Sequence, residues 1–457
     1  MVLQVINPYN QQMVTELAYD TPLQIASKID KARRAFAAWS RRPIGERIDL
    51  VSQALNYFRN HQDAIATDIS RQMGKPIVQS QNELGGFFER ADHMLGIAPD
   101  ALASDLLPPK KGVYRRIDHE PLGVVLDIAA WNYPLLIPVN VIVPALLAGN
   151  TVLIKHSAKT PLCGLHFEKA FSQLVPGLVQ NLILTHDQTL NIIRGQPIDH
   201  VVFTGSVPGG GAIYRAAASR FMDAGLELGG KDPAYVTQDA DLAFAIANVV
   251  DGACYNAGQS CCAVERVYVH HNVYEAFMAG AFETLAAYRL GDPLDRQTTM
   301  GPLASPSTLV LLDRQVADAL KQGASLVTGG RRLEASAGNF YLPTLLRDVP
   351  HPADVMQAES FGPILPVCPV KDDDEALALM NDSRYGLTAS VWTSDQGRAE
   401  RFARRLKVGT VYQNRCDYLD PALPWTGVGD SGKGASLSKY GFYHLTRRKS
   451  IHFRTET

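Results

Sequence analysis

The chain is poor in the features that would mark a metal protein, a secreted scaffold or a membrane protein. It holds six cysteines in 457 residues, Cys163, Cys254, Cys261, Cys262, Cys368 and Cys416, with no Cys-x-x-Cys pair and no Cys/His cluster at zinc-ligand spacing. Neither a metal site nor a disulfide framework is expected, and a reducing, cytoplasmic compartment fits such sparse thiols best. The most apolar run, from Leu135 to Gly149, is too short to span a bilayer and contains Pro138, Asn140 and Pro144. The opening residues Val2-Leu3-Gln4-Val5 lack the basic start and long apolar core of a signal peptide. Charge of either sign is not in excess: the net charge of -2 gives no electrostatic case for nucleic acid or an anionic membrane as partner. Small molecules are the expected ligands.

What is present is ordinary globular composition, 46% hydrophobic and 20% charged, in a chain long enough to predict two or more domains. Thr21-Pro22 reads as a helix start, after which Ile25, Ile29, Ala32, Phe36 and Trp39 recur at helical spacing. A second helix follows Pro43, with Ile44, Ile48, Val51, Leu55 and Phe58 on one face, and a third stretch runs through Arg71 to Pro76 and on to about Leu95. Tyr114 to His119 reads as a polar strand. From Gly123 short apolar runs alternate with helical patterns: Val124 to Ile128, Thr151 to Lys155, Asn181 to Thr185 and His200 to Thr204. Such alternation predicts a parallel sheet covered by helices, whose ligands bind at the carboxyl ends of the strands. Trp131-Asn132, Lys155 and Gly205-Ser206 fall there. A second alternating region begins after Gly230, with strands at Ala234 to Val236, Arg266 to His270, Ser325 to Val327 and Ile364 to Val367.

Between two of these strands lies Tyr255-Asn256-Ala257-Gly258-Gln259-Ser260-Cys261-Cys262-Ala263, a turn of small residues carrying adjacent thiols. A thiolate there would be a good nucleophile for electrophilic carbon; adjacent cysteines could equally be small buried hydrophobes. Three more stretches bear on the choice: Ala130-Trp131-Asn132-Tyr133-Pro134, Leu226-Glu227-Leu228-Gly229-Gly230-Lys231 and Glu359-Ser360-Phe361-Gly362-Pro363. In this order and spacing the four motifs resemble the aldehyde dehydrogenase superfamily, and the resemblance runs from Asn7-Pro8 to about Thr446.

The resemblance implies an α/β fold: a Rossmann-like cofactor domain over 1–102 and 124–229, a catalytic domain over 230–428, and an oligomerisation arm and tail over 103–123 and 429–457. It implies a homodimer or homotetramer. Cys261, two residues after Gln259, matches the family nucleophile, whereas Cys262 matches a variable position. Asn132 matches the asparagine that stabilises the thiohemiacetal oxyanion, joined by the Cys261 backbone N–H. Glu227 matches the base that activates water against the thioester, and its apolar Leu-Glu-Leu setting would raise its pKa. The implied cofactor is NAD or NADP, held by Trp131, Lys155, Ser157, Ala158, Gly205, Ser206, Gly210, Glu359 and Phe361. The glycine-rich loop Phe203 to Gly211 lacks the G-x-G-x-x-G fingerprint and matches the family's Gly-Ser-x-x-x-Gly form.

Two departures stand out. Where many NAD-using members carry glutamate, this chain has Ala158, which neither bonds a ribose 2′-hydroxyl nor repels a 2′-phosphate, so NADP is expected to be accepted. The C-terminal motif, Ser431-Gly432-Lys433-Gly434-Ala435, lacks the usual Arg-Glu form. The short N-terminus, Arg71-Gln72-Met73-Gly74-Lys75-Pro76, Ile154-Lys155-His156 and Leu226 to Pro233 look most like compact bacterial succinate-semialdehyde dehydrogenases. A semialdehyde carboxylate needs a cation at the funnel, for which Arg415, beside the structural Asn414, is the candidate. An apolar aldehyde is the alternative, with Tyr133, Trp425 and Tyr418 lining the funnel. An acylating relative that passes its acyl group to coenzyme A, and an inactive binding homologue, are disfavoured by the presence of Glu227 and of the other motif residues.

Overall fold

A computed structural model describes residues 2–334 and 336–456. An antiparallel hairpin, Val2–Ile6 with Met13–Ala18, leads into a helical layer. Thr21 starts helix Pro22–Trp39 with a full capping box, its hydroxyl accepting from Gln24 N while the Gln24 side chain bonds the Thr21 backbone. The buried face is Ile25, Ile29, Ala32, Ala35 and Trp39; Phe36, expected there, is half-buried, because the step of four from Ala35 to Trp39 holds the seam. Helix Ile44–Asn60 buries Val51, Ala54, Leu55 and Phe58, and Ile44 and Ile48 pack at its margin.

The third stretch is two helices rather than one. Helix Gln62–Met73 stops at Gly74, which has φ of 85°, and helix Ile77–Ala101 begins after Pro76. A left-handed glycine followed by proline ends a helix, and a Cβ on Gly74 would stand 2.8 Å from the Pro302 carbonyl oxygen. This break places Lys75 in the interior, where its Nζ meets Glu83 at 2.5 Å with both side chains buried. Glu83 Oε1 in turn accepts from Leu135 N at 2.8 Å and Leu136 N at 3.3 Å. The loop that carries Asn132 is thereby tied to the helical layer.

Six strands form the first sheet, in the order Gly432–Lys433, Ala224–Glu227, His200–Thr204, Val124–Ala129, Thr151–His156, Val179–Asn181. All neighbours are parallel except Gly432–Lys433. The strand expected at Asn181 to Thr185 ends at Asn181, since Thr185 is already the N-cap of helix His186–Gly195, with Gln188 completing its capping box. Val124–Ala129 lies between Thr151–His156 and His200–Thr204, so the strand order reverses there and opens a crevice at the carboxyl ends. Gly432–Lys433, expected in the tail, adds an antiparallel edge strand beside Glu227.

The second sheet has seven strands: Ser325–Thr328, Thr344–Arg347, Ile364–Val370, Val264–His270, Asp232–Val236, Thr388–Trp392 and Thr410–Gln413. Only the first pair is antiparallel. The chain leaves the first sheet at Glu227 and enters the second at Asp232, so carboxyl ends of one sheet face amino ends of the other across Leu228-Gly229-Gly230-Lys231. Cys261 and Cys262 precede strand Val264–His270 at this junction. A third sheet pairs Val113–Pro121 with Thr446–Arg454 along its length and with Asp105–Leu106, leaving Leu106, Tyr114 and Phe453 exposed.

Candidate active site

The cysteine turn is wound against its own preference. Asn256, Ala257 and Gly258 have φ of 52°, 55° and 71°, a left-handed run that only glycine adopts at no steric cost. The surroundings hold it. Asn256 Nδ2 donates to the Asn132 carbonyl at 3.1 Å and to the Gln259 carbonyl at 3.2 Å, and Asn256 N donates to Gln79 Oε1 at 3.0 Å. Gln259 Nε2 donates to Asn256 O at 3.0 Å, and its Oε1 accepts from Ala304 N at 2.9 Å. A Cβ on Gly258 would lie 2.3 Å from the Gly362 carbonyl oxygen, and one on Gly230 would lie 2.4 Å from that of Cys261. The glycines let three distant motifs close on the thiols.

The two thiols have different surroundings. Cys261 is partly exposed, whereas Cys262 is buried, packed with Leu387, Trp425 and Leu437. The Cys262 thiol donates to Asp417 Oδ1 at 3.1 Å, and Ser260 Oγ donates to the same oxygen at 2.7 Å. The Cys262 pKa is pushed well up, first by its hydrogen bond to Cys261 and then by burial. Burial also raises Asp417, to about 6, against the lowering effect of those two donors.

Cys261 is common to two chambers. One, of about 180 Å³, is lined by Ala130, Trp131, Asn132, Thr204, Gly205, Ser206, Glu227, Leu228, Gly229, Glu359 and Phe361 besides Cys261. The other, of about 280 Å³, has walls that include Asn132, Tyr133, Glu227, Cys262, Tyr418 and Trp425. Cys261, Asn132 and Glu227 thus stand where the two meet. Asn132 is buried, and its Nδ2 donates to the Gln259 carbonyl at 3.2 Å; the amide carries a second N–H.

Glu227 ends its strand between two hydroxyls. Ser436 Oγ donates to Oε1 at 2.5 Å and Thr204 Oγ to Oε2 at 3.4 Å. Burial raises its pKa above the usual carboxylate value, while the Ser436 bond and the charge of Arg90 pull the other way. Lys231, four residues on, pairs elsewhere: its ammonium meets Glu265 at 2.7 Å and Ser360 Oγ at 3.0 Å. Glu265 also accepts from the backbone N–H of Ser360 and of Phe361, which fixes the Glu359-Ser360-Phe361 segment. Ser436 and Thr204 were not identified from sequence; Ser436 lies one residue beyond the departure at Ala435.

The smaller chamber fits a nicotinamide cofactor. Trp131 and Phe361 meet edge to face, 5.6 Å between ring centroids, with Lys159 Nζ 5.0 Å above the Trp131 ring. Glu359 Oε1 accepts from Gly230 N at 3.2 Å, and burial raises its pKa to about 8. Ser206 caps helix Val207–Ala218 by accepting from Gly209 N, whose N-terminus favours an anion. Gly205 and Gly210 are needed for packing, since a Cβ would meet the Phe203 ring at 2.6 Å or Leu228 at 2.5 Å. Lys155, Ser157, Ala158 and Gly210 do not line this chamber; the first three follow one another at and beyond the end of strand Thr151–His156. Lys155 is buried, has no acceptor among the described residues, and is lowered by burial to about 8. An unpaired ammonium at a strand end suits a hydroxyl-rich or anionic ligand. Ala158 is exposed, leaving room for a 2′-phosphate.

On the larger side Tyr133 and Trp425 line the chamber as expected. Arg415 does not. It is exposed, with its guanidinium carbon 3.5 Å from the centroid of the Tyr418 ring, because left-handed Asn414 and Asp417 (φ 54° and 46°) turn the intervening chain outward. Asn414 is structural, its amide exchanging two hydrogen bonds of 2.9 Å with the Thr393 backbone. The cation that does line the chamber is Arg90. Asp251 and Glu89, both exposed, and Tyr255 also contribute. A thiol, an amide donor and a desolvated carboxylate around one point can attack a carbonyl carbon, hold its oxyanion and activate water.

Comparison with known proteins shows the family. The sequence matches the aldehyde dehydrogenase family over residues 1–451. It is 35% identical to a succinate-semialdehyde dehydrogenase [NADP(+)] of Deinococcus radiodurans, covering 98% of this chain and 94% of the relative. The solved lactaldehyde dehydrogenase of Escherichia coli superposes with a TM-score of 0.95 at 30% identity, covering 99% of this chain and 96% of that one. Betaine aldehyde dehydrogenase of Staphylococcus aureus, solved with NAD+, gives a TM-score of 0.95 at 30% identity over 100% and 92% of the two chains. The chain belongs to the aldehyde dehydrogenase family, as an oxidoreductase that works with NAD or NADP.

Proposed function

We propose that the protein oxidises an aldehyde to the free carboxylic acid through a thioester on Cys261. The observation that carries the reading is that Cys261, Asn132 and Glu227 are shared by both chambers. Cys261 Sγ adds to the aldehyde carbon, and the resulting oxyanion accepts from Asn132 Nδ2 and Cys261 N. NAD or NADP, when bound beside Trp131 and Phe361, supplies the hydride acceptor. Glu227 then takes a proton from water as its oxygen attacks the thioester carbon, and the Cys261 thiolate leaves. Glu227, partly exposed to both chambers, supports hydrolysis over transfer to coenzyme A.

The substrate class we infer is a short semialdehyde such as succinate semialdehyde. The name of the Deinococcus radiodurans relative and a cation in the wall support this. Glu89 and Asp251, with Tyr133, Tyr255, Tyr418 and Trp425 nearby, favour a second reading, an aldehyde with a cationic end. Steady-state kcat/KM for succinate semialdehyde, butanal and 4-aminobutanal with NADP and NAD decides: the first should lead, and a lead for 4-aminobutanal would overturn the semialdehyde reading. The free cysteines fit a cytoplasmic enzyme. The arm strands Val113–Pro121 and Thr446–Arg454, the second largely exposed and the first half-buried, are read as the contact of a homodimer or homotetramer, to be checked by light scattering.

A further inference from the structure

Helix Ile77–Ala101 buries Leu84, Phe87, Ala91 and Met94, and Arg90 falls on the same face, 8% exposed. A guanidinium this deep is normally matched by carboxylate or by a full set of acceptors. Of the other deep cations only Lys155, at the cofactor crevice, is also without an acceptor among the described residues; the rest obey that rule. Lys75 has Glu83 and Lys231 has Glu265, and Arg266 reaches backbone carbonyls from Nε, Nη1 and Nη2. Arg90 uses only Nη1, toward the neutral Leu136 carbonyl at 3.2 Å and Asn140 Oδ1 at 3.3 Å. Among the described residues its Nε and Nη2 have no acceptor. Nor are they sealed: Arg47 Nε is enclosed without a partner, whereas no Arg90 nitrogen is, so the free N–H groups open onto the chamber that holds Cys261.

The carboxylates of that chamber are engaged or peripheral: Glu227, which feels the charge of Arg90, accepts from Ser436 and Thr204 and forms no ion pair with Arg90 among the described residues. Glu83 is held by Lys75, and Asp417 by Ser260 and Cys262. Glu89 accepts from the Tyr418 hydroxyl, and both Glu89 and Asp251 are exposed. Among the described residues Arg90 is the one arginine or lysine in the wall. A planar fork with two free donor positions matches a carboxylate bound side-on.

We propose that Arg90 is the residue that binds the substrate's terminal carboxylate, the role that Arg415 cannot fill from its exposed position; this rests on the semialdehyde reading. The aldehyde carbon at Cys261 and the carboxylate at Arg90 then define a short, extended ω-carboxyaldehyde, and the distance between the two groups sets the preferred chain length.

The test is the ratio of kcat/KM for succinate semialdehyde to that for butanal in wild type, Arg90→Gln, Arg90→Lys and Arg415→Ala. Arg90→Gln should lower the ratio about a hundredfold, the range expected when one partner of a desolvated charge pair is removed. Arg90→Lys, which keeps charge but not the fork, should lose part of it, and Arg415→Ala should stay within about twofold of wild type, as expected for a surface cation. Thermal unfolding and binding of the reduced cofactor check that the variants fold; if Arg90→Gln does not, the ratio in Arg90→Lys is read in its place and must fall several-fold. A wild-type ratio near one overturns the semialdehyde reading and this inference with it. A high wild-type ratio that survives in the Arg90 variants, or that falls in Arg415→Ala, overturns the inference alone. Equal loss of both substrates, with the acid limb of the pH profile moved upward, would mean that Arg90 acts through Glu227 and would also overturn it.

Discussion

The two chambers that meet at Cys261 are built in different ways. The cofactor side is made by short consecutive segments at strand ends and bends, Ala130 to Asn132, Thr204 to Ser206 and Glu227 to Gly229, with Glu359 and Phe361. Its side chains, Trp131, Glu227, Glu359 and Phe361 among them, are carried on backbone that is contiguous within each segment. The substrate side is assembled from single side chains on separate elements: Arg90 on one helix, Asn140 on another, Asp251 on a third, and Tyr418 and Trp425 in loops. Shared chemistry needs fixed backbone and so leaves contiguous motifs. Substrate choice needs only a few side chains to converge, and it is scattered along the chain.

The sharpest way to break this division is at the thiols. Cys261→Ala should abolish aldehyde-dependent formation of reduced cofactor, whereas Cys262→Ala, which removes a buried thiol that donates to Asp417 and packs against Trp425, should keep activity within about tenfold, the loss of one ordinary hydrogen bond and a little packing. Equal loss in both would erase the distinction. Next in size, Asn132→Ala should cost about a hundred- to thousandfold in kcat, as for one oxyanion donor, with KM for NADP little altered. A large rise in that KM with kcat preserved would move Asn132 to the cofactor side of the comparison.

Changes confined to one chamber should be smaller. Ala158→Glu should shift the NADP to NAD preference toward NAD by about tenfold, the effect of one like-charge contact and one hydrogen bond, without moving the succinate semialdehyde to butanal ratio; a change in that ratio would couple the chambers. Ser436→Ala tests the pH response. The Ser436 bond favours ionised Glu227 and opposes the raising effect of burial. Its loss should raise the Glu227 pKa further, so the acid limb of the hydrolytic rate should move to higher pH, by about one unit or less. A shift to lower pH would contradict the assigned sign.

The same contrast explains what could be read from the sequence. The sheet alternation, Thr21-Pro22 and the four motifs are local signals, and local geometry follows them: Thr21 caps, and Cys261, Asn132, Glu227, Glu359 and Phe361 converge. Arg415 was misplaced because proximity to Asn414 in sequence says nothing of the left-handed turn that points it outward. Arg90 was missed because a charged helical residue ordinarily reads as solvated. The signal was there in its neighbours, since an arginine in register with Leu84, Phe87, Ala91 and Met94 stands on an apolar face. Ser436 acts on Glu227 only because Gly432–Lys433 pairs beside it across more than two hundred residues, a contact that no local pattern announces.

The central claim is that one thiol carries the acyl group and one carboxylate releases it. Glu227→Gln, mixed rapidly with succinate semialdehyde and NADP, quenched in acid and analysed by peptide fragmentation mass spectrometry, tests it most directly. The account predicts a burst of one reduced cofactor per site and a succinyl adduct on Cys261. An adduct on Cys262, or turnover at the wild-type rate with no adduct, would contradict it.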